Sequence, residues 1–149
     1  MSVFGIPNDE YGEEIKAAVQ HLRDQGCQKV GVVGFCMGGA LACLGAAVGN
    51  SDAAVAFYGF PPPPNPMDTQ CPPTKIFFGS DEGFFDVPAA QAWAKTQREQ
   101  HGQADTEVKV YEGAGHAFFN DTRPEAYHES SAQDAWAITK SHFAKHLQA

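Results

Sequence analysis

Apolar runs alternate with amphipathic segments along the chain. The apolar runs predict four strands, which cover residues 30–35, 53–58, 75–78 and 107–111. The amphipathic segments predict four helices, which lie near residues 15–25, 40–48, 86–102 and 121–147. Strands that alternate with helices form parallel sheets that carry helices on both faces. The pattern therefore predicts an α/β fold with about four mainly parallel strands.

Local signals predict where three of the helices begin or end. Gly26 is a fitting end for the first helix, and Asp86 with Pro88 opens the third. The final helix is expected to begin within residues 121–124, because Asp-Thr-Arg-Pro is typical of a helix N-terminus. Its predicted buried stripe has helical spacing and consists of Ala132, Trp136, Thr139, Phe143 and Leu147.

Composition and charge limit the possible partners. The 149 residues suffice for one domain, which we expect to span residues 1–149. The net charge of −8 argues against nucleic acid and against anionic membrane surfaces, because both attract basic patches. No apolar run is long enough to span a bilayer. The cysteine spacings fit neither a zinc site nor a redox pair, so we expect a reduced, cytoplasmic chain without a metal. The cysteines are Cys27, Cys36, Cys43 and Cys71.

The segment 34–39 reads Gly-Phe-Cys-Met-Gly-Gly and joins the first predicted strand to a helix of small residues. A reactive side chain at the apex of a strand–turn–helix is the sequence form of a nucleophile elbow, and Cys36 here takes the usual place of serine. A dinucleotide site is the weaker interpretation, because the glycines are not spaced as G-x-G-x-x-G. A buried, inert core cysteine is the other alternative. Cys36 is therefore the candidate nucleophile of a hydrolase with a covalent intermediate.

Two further residues complete a catalytic arrangement in chain order. Asp81 follows the third predicted strand, and His116 lies in a glycine-rich turn after the fourth. His116 would accept the thiol proton, and Asp81 would orient the imidazole. The N–H of Met37, at the helix N-terminus, would stabilise an oxyanion. Glu82 and Asp86 compete with Asp81 for the role of acid, although Asp86 also resembles a helix cap.

The other histidines and the nearby aromatic residues have less specific roles. We expect the histidines on or beside helices to be solvated surface groups, and these are His21, His101, His128, His142 and His146. Five aromatic residues flank the predicted site and are candidates for an apolar acyl pocket that binds substrate, with core packing as the alternative. They are Tyr58, Phe84, Phe85, Phe118 and Phe119.

Three segments of the chain resemble the signature blocks of the dienelactone hydrolase family. They cover residues 34–40, 79–81 and 113–118, and they contain Cys36, Asp81 and His116. The resemblance runs from about the first helix to the C-terminus. It implies an α/β-hydrolase fold and hydrolysis of lactones or small esters by a Cys-His-Asp triad. The family reaction passes through a thioester intermediate and uses no metal or cofactor.

The sequence departs from this family in two respects. The N-terminal strands are absent, so the chain resembles a truncated α/β-hydrolase. No residue can be assigned as the second oxyanion donor, as the glutamate that contacts the resting cysteine, or as the arginine that binds the substrate carboxylate. The family enzyme also has an arginine shortly after the histidine, whereas Arg123 is the nearest arginine here. Dienelactone itself is therefore not the expected substrate.

The absent strands would leave the strand from Val30 to Phe35 as an apolar edge, which is a template for association. Residues 3–6 could fold back onto this edge, a second copy could pair with it, or a separate polypeptide could supply the strands. We expect a homodimer or another assembly. Two alternatives stay open: a weak or inactive homologue that serves as a binding or assembly partner, and a piece of a longer gene product.

Overall fold

A four-stranded parallel sheet forms the centre of the fold. The computed structural model describes residues 2–3 and 6–148. The sheet has the order β3-β4-β5-β6, and each strand pairs in parallel with its neighbour. Its strands are β3 (Gly31–Phe35), β4 (Ala53–Phe57), β5 (Thr74–Asp81) and β6 (Glu107–Gly115). Two short segments, β1 (Ser2–Val3) and β2 (Ile6–Pro7), form a separate antiparallel pair. The predicted parallel α/β architecture is confirmed.

Helices cover both faces of the sheet. They are α1 (Asn8–Asp24), α2 (Met37–Val48), α3 (Val87–Gln100) and α4 (Glu129–His146). A Cβ at Gly31 would meet Phe143 of α4, whereas Gly45 of α2 lies against Val32. Because successive strand residues point to opposite faces, α4 and α2 lie on opposite sides of β3. Within the described part of the chain, no helix has both the length and the apolar character needed to cross a membrane.

The central strands are buried on both faces. All five residues of β4 are buried, and the largest rings of the core come from β4, β5 and the turn after β6. These rings are Phe57, Phe77, Phe78 and Phe118. Burial on both faces explains why these strands are continuous apolar runs rather than alternating ones.

The final helix begins later than its sequence predicts. Residues 121–128 form turns, in which the side chain of Asn120 accepts a hydrogen bond from the Thr122 N–H at 3.1 Å. The α4 helix starts at Glu129, where the N–H of Ala132 donates to the carbonyl of His128 at 2.9 Å. Asp, Asn and Thr favour such local turns as readily as they favour helix caps, so the pattern at 121–124 was ambiguous.

The buried stripe of α4 also differs from the prediction. Ala132 and Thr139 are buried as expected, but Trp136 is 42% exposed and its place is taken by Ala135. The Trp136 ring packs beside Phe119, with 5.8 Å between ring centroids. His142, which was expected to be solvated, is 4% exposed, and its Nε2 lies 3.0 Å from the carbonyl oxygen of Pro73. Burial lowers the pKa of His142 to about 4, so its ring is neutral near pH 7.

Strand β3 is an edge of the sheet among the described residues, because β4 is its one partner there. Val33, on the α4 face of this strand, is 46% exposed, and Phe35 is partly exposed beside it. The segment 3–6 does not cover this edge within its described residues, since Val3 and Ile6 pair with each other; Phe4 and Gly5 lie outside them. The apolar edge predicted from the sequence is therefore present in the described part of the chain.

Candidate active site

Cys36 lies at the apex of a sharp turn between β3 and α2. Its backbone has φ 56° and ψ −120°, a left-handed conformation that is uncommon for a residue with a side chain. The turn is tight enough that a Cβ at Gly34 would lie 1.8 Å from the carbonyl oxygen of Gly38. Three backbone hydrogen bonds hold the apex: the Cys36 N–H donates to the carbonyl of Phe57, and the Cys36 carbonyl accepts from the N–H groups of Gly39 and Ala40. The backbone thus has the form of a nucleophile elbow.

His116 lies beside Cys36. It follows the last residue of β6, and its Nε2 is 3.2 Å from the Cys36 Sγ. The two residues are 80 positions apart in the chain and meet because the carboxyl ends of parallel strands share one edge of the sheet. A thiol and an imidazole at this distance can exchange a proton.

The acid that contacts His116 is Glu82 rather than Asp81. Both carboxylate oxygens of Glu82 lie near the His116 Nδ1, at 3.0 and 2.9 Å. The Glu82 side chain is 1% exposed, and its Oε1 also accepts a hydrogen bond from the Phe84 N–H at 2.8 Å. A buried carboxylate is costly without hydrogen-bond donors, and an imidazole N–H is a suitable donor.

Asp81 points elsewhere for a geometric reason. It is the last residue of β5, it is exposed, and its side-chain oxygen is 3.5 Å from the Ser80 hydroxyl. A register shift between Gly79 and Asp81 interrupts the strand pairing at this point. Successive side chains point in opposite directions, so a carboxylate that reaches His116 from position 82 excludes one from position 81. Asp86 caps α3 by accepting a hydrogen bond from the Ala89 N–H, which confirms the capping interpretation.

The remaining thiols differ from Cys36 in their surroundings. Cys43 and Cys71 are buried, and burial raises the pKa of Cys71 to about 12 and that of Cys43 further. Thiols with such values are protonated and unreactive near pH 7. Cys27 is exposed, and none of the four cysteines forms a disulfide.

The N-terminus of α2 faces the same end of the sheet. Met37 is the first residue of this helix, and the first backbone N–H groups of a helix have no partner within it. Such N–H groups bind negative charge. The position of the Met37 N–H, directly after Cys36, suits the oxyanion-donor role expected from the sequence.

Aromatic rings surround His116. The rings of Phe84, Tyr58 and Phe85 lie 4.6, 5.0 and 6.0 Å from the imidazole, measured between centroids. Phe84 is 77% exposed, so its ring covers His116 from the solvent side. Phe118, also expected to bind substrate, is instead fully buried against Phe57, Tyr58 and Tyr111. Its backbone follows the turn after β6, which directs the ring into the core.

An open cleft lies next to these rings, and Tyr58 and Phe119 of the apolar pocket expected from the sequence are among its lining residues. It has a volume of about 530 Å³, and its wall includes Phe35, which precedes Cys36, and Tyr58, which contacts His116. The remaining walls come from the turn after β6 and from α4. They are Phe119, Asn120, Asp121, Tyr127, Ala132, Gln133 and Trp136. Segments distant in sequence build this cleft, so the part of its wall that α4 supplies leaves no local pattern in the sequence.

Within the described residues, no group of three or more His, Cys, Asp or Glu side chains is arranged to hold a metal ion. The site consists of the Cys36 thiol, the His116 imidazole that contacts it and the Glu82 carboxylate that contacts the imidazole.

Comparison with known sequences relates the chain to one family. A sequence profile of the dienelactone hydrolase family matches residues 6–147. The protein usf of Aquifex pyrophilus is 34% identical over 144 residues, which cover 93% of this chain and 62% of that protein. A protein of Saccharolobus solfataricus named as a carboxymethylenebutenolidase is 35% identical over 130 residues, which cover 83% of this chain and 47% of that protein. The chain thus spans between about half and three fifths of the length of these two relatives.

Comparison with solved structures relates the chain to the same family. The crystal structure of a dienelactone hydrolase from Klebsiella pneumoniae superposes with a TM-score of 0.66 at 28% identity, covering 89% of this chain and 61% of that one. A dienelactone hydrolase-like promiscuous phosphotriesterase from metagenomic libraries shares the fold, with a TM-score of 0.71 at 20% identity over 93% of this chain and 62% of that one. Together with the cysteine elbow and its histidine, these matches show that the chain belongs to the dienelactone hydrolase family.

Proposed function

We propose that the chain hydrolyses small esters or lactones, with Cys36 as nucleophile, His116 as general base and Glu82 as the acid that orients it. The observation that carries the proposal is the continuous line of contacts from the Cys36 Sγ to the His116 Nε2 and from the His116 Nδ1 to Glu82. This Cys-His-Glu arrangement replaces the Cys-His-Asp triad expected from the sequence.

In the first half of the reaction, the thiol proton passes from the Cys36 Sγ to the His116 Nε2. The thiolate attacks the carbonyl carbon of the substrate, and the carbonyl oxygen becomes an oxyanion that the Met37 N–H stabilises. When the intermediate collapses, the C–O bond to the alcohol breaks and His116 donates its proton to the leaving oxygen. The products of this half are an alcohol and a thioester on Cys36.

In the second half, water attacks the thioester carbonyl and gives one proton to the His116 Nε2. The C–S bond then breaks, the acid product leaves, and His116 returns its proton to the thiolate. Throughout, the Glu82 carboxylate accepts the Nδ1–H and balances the charge of the imidazolium. In a lactone the alcohol and the acid belong to one molecule, so a single hydroxy acid is released.

The rings around His116 supply the apolar surroundings of the reacting ester. In this proposal Tyr58, Phe84 and Phe85 contact the substrate, because their rings lie within 6.0 Å of the imidazole. Small esters and lactones are the substrate class because the relatives include a protein named as a carboxymethylenebutenolidase. We place the activity in the cytoplasm, because disulfides are rare there and all four cysteines are free.

The test is hydrolysis of p-nitrophenyl acetate, followed by mass spectrometry of the protein. We expect turnover by the wild type, a single acetyl group on Cys36 during turnover, and loss of both in Cys36→Ala. Cys27→Ala is the matched control, since Cys27 is an exposed thiol outside the site, and it should retain wild-type turnover. Turnover that survives in Cys36→Ala would exclude the proposed mechanism.

The alternative is a weak or inactive chain that binds or assembles with a partner. It would be supported if the wild type showed no turnover and iodoacetamide modified Cys36 no faster than Cys27.

A further inference from the structure

The cleft of about 530 Å³ is largely aromatic and borders the site through two of its lining residues. Phe35 in its wall is the residue before Cys36, and Tyr58 contacts both the cleft and His116. Phe119 and Trp136 close the opposite side, with 5.8 Å between their centroids. A cleft of this volume can hold a drug-sized molecule, and aromatic walls favour a flat, apolar one.

Two hydrogen-bond donors in the wall have no partner among the residues that the structure describes. Tyr58 is 3% exposed, and its hydroxyl has no hydrogen bond to any described residue. The Asn120 Oδ1 accepts from both the N–H and the hydroxyl of Thr122, at 3.1 and 2.7 Å, which leaves the Asn120 amide N–H₂ without a partner among the described residues. A buried hydroxyl without a partner is costly, so this pair points to a ligand with an oxygen acceptor.

The charge of the cleft opposes anionic ligands. Among the described residues, its lining contains one carboxylate, Asp121, and no lysine, arginine or histidine. Arg123, two residues further on, is paired with Glu125 at 3.0 Å on the exposed surface. The net charge of −8 acts in the same direction.

We propose that this cleft binds the aromatic part of a neutral ester through an oxygen acceptor, and that it discriminates against substrates that carry a carboxylate. Such a preference would separate this chain from relatives named for carboxylate-bearing lactones, such as the 2-oxo-3-(5-oxofuran-2-ylidene)propanoate lactonase of Bradyrhizobium. That this ligand is a substrate rests on the function proposed above, whereas its binding in the cleft does not.

The experiment measures binding in a protein that cannot turn over the ester. The background is Cys36→Ala with Trp93→Phe, so that Trp136 in the cleft wall is the remaining tryptophan and its fluorescence reports occupancy. The matched probes are methyl phenylacetate and phenylacetate, which differ in charge at one end. We expect the neutral ester to quench Trp136 fluorescence and to bind at least about five-fold more tightly than the anion.

Two variants in the same background test the groups named above. Tyr58→Phe should weaken binding of the ester about three- to ten-fold, since it removes one hydrogen-bond donor and keeps the ring. Asp121→Asn should tighten phenylacetate binding and leave the ester unaffected. If Trp93→Phe does not fold, the same titration is made with Cys36→Ala alone, which keeps both tryptophans. Trp136→Phe in that protein is then the control and should lose the quenching signal.

Equal or tighter binding of phenylacetate, or an ester affinity unaffected by Tyr58→Phe, would overturn the inference. Because the binding protein lacks Cys36, either result is independent of whether the chain is a hydrolase. Conversely, cleft binding without turnover of p-nitrophenyl acetate by the Cys36 protein would reject the proposed function and keep the ligand preference.

Discussion

Replacement of Glu82 by glutamine tests the identity of the acid. Glu82→Gln keeps the side-chain size but removes the charge of a carboxylate that is 1% exposed and lies within 3.0 Å of the His116 Nδ1. The imidazolium formed when Cys36 loses its proton then lacks the negative charge on its Nδ1 side. The same change in a serine-histidine-aspartate triad costs about 10⁴ in kcat, and a thiol depends less on its base. We therefore expect a loss of about 10²- to 10⁴-fold in kcat/KM, or about 3 to 5 kcal/mol of transition-state stabilisation.

Asp81→Asn is the matched control one position away. Asp81 is exposed and its side chain reaches Ser80, so we expect kcat/KM to stay within about two-fold of the wild type. The assay is p-nitrophenyl acetate hydrolysis, and the rate at which iodoacetamide alkylates Cys36 serves as a second measurement. A thermal melt of each variant separates loss of activity from loss of fold.

Two results would refute this reasoning. An equal or larger loss in Asp81→Asn would mean that Asp81, not Glu82, supports His116 in the reacting protein. Full activity in Glu82→Gln would mean that Cys36 needs no buried carboxylate behind its base.

Three further predictions concern the fold. Gly34→Ala should destabilise the chain by several kcal/mol, because its Cβ would lie 1.8 Å from a carbonyl oxygen, whereas Gly38→Ala, with open space around its Cβ, should be tolerated; chemical denaturation of both variants checks this. The pKa of His142 is about 4 in the folded chain and 6.5 in the unfolded chain, so between these pH values mainly the unfolded chain is protonated there. The free energy of unfolding should therefore fall by up to about 3 kcal/mol as the pH falls from 6.5 to 4. Melting temperatures of His142→Gln should fall less over this range, and parallel curves would contradict the assignment. We also propose that β3 pairs with β3 of a second copy, since residues 30–35 contain no charge and no proline. In a sedimentation experiment the wild type should then be a dimer and Val33→Lys a monomer. A monomeric wild type at micromolar concentration would exclude the pairing.

The strands could be predicted because their physical cause is local. A strand buried on both faces must be apolar throughout, and β4, with five buried residues, shows this directly in its sequence. The elbow was equally visible, because a tight turn that needs Gly34 and places Cys36 at a positive φ leaves a recognisable spacing.

The sequence predictions were wrong where tertiary contacts determine the position of a side chain. The choice between Asp81 and Glu82 depends on a register shift in β5, which changes the direction of a side chain but leaves no mark in the hydrophobic pattern. Trp136 has the spacing of a buried residue, yet it lies beside the open edge of β3 and is exposed there. His142 is polar and on a helix, but a carbonyl of the segment before β5 accepts its hydrogen bond and permits its burial.

The loop between β5 and α3 links His116 to the ring that covers it. Glu82 accepts hydrogen bonds from His116 and from the N–H of Phe84, so one carboxylate sets both the imidazole and the ring 4.6 Å from it. At the other end of the loop, Asp86 caps α3 and anchors the chain to a helix. Because both ends are held by side-chain to backbone hydrogen bonds, a displacement of Phe84 must also disturb Glu82. The cover over His116 and the orientation of its imidazole are therefore coupled through five residues, 82–86, rather than set independently.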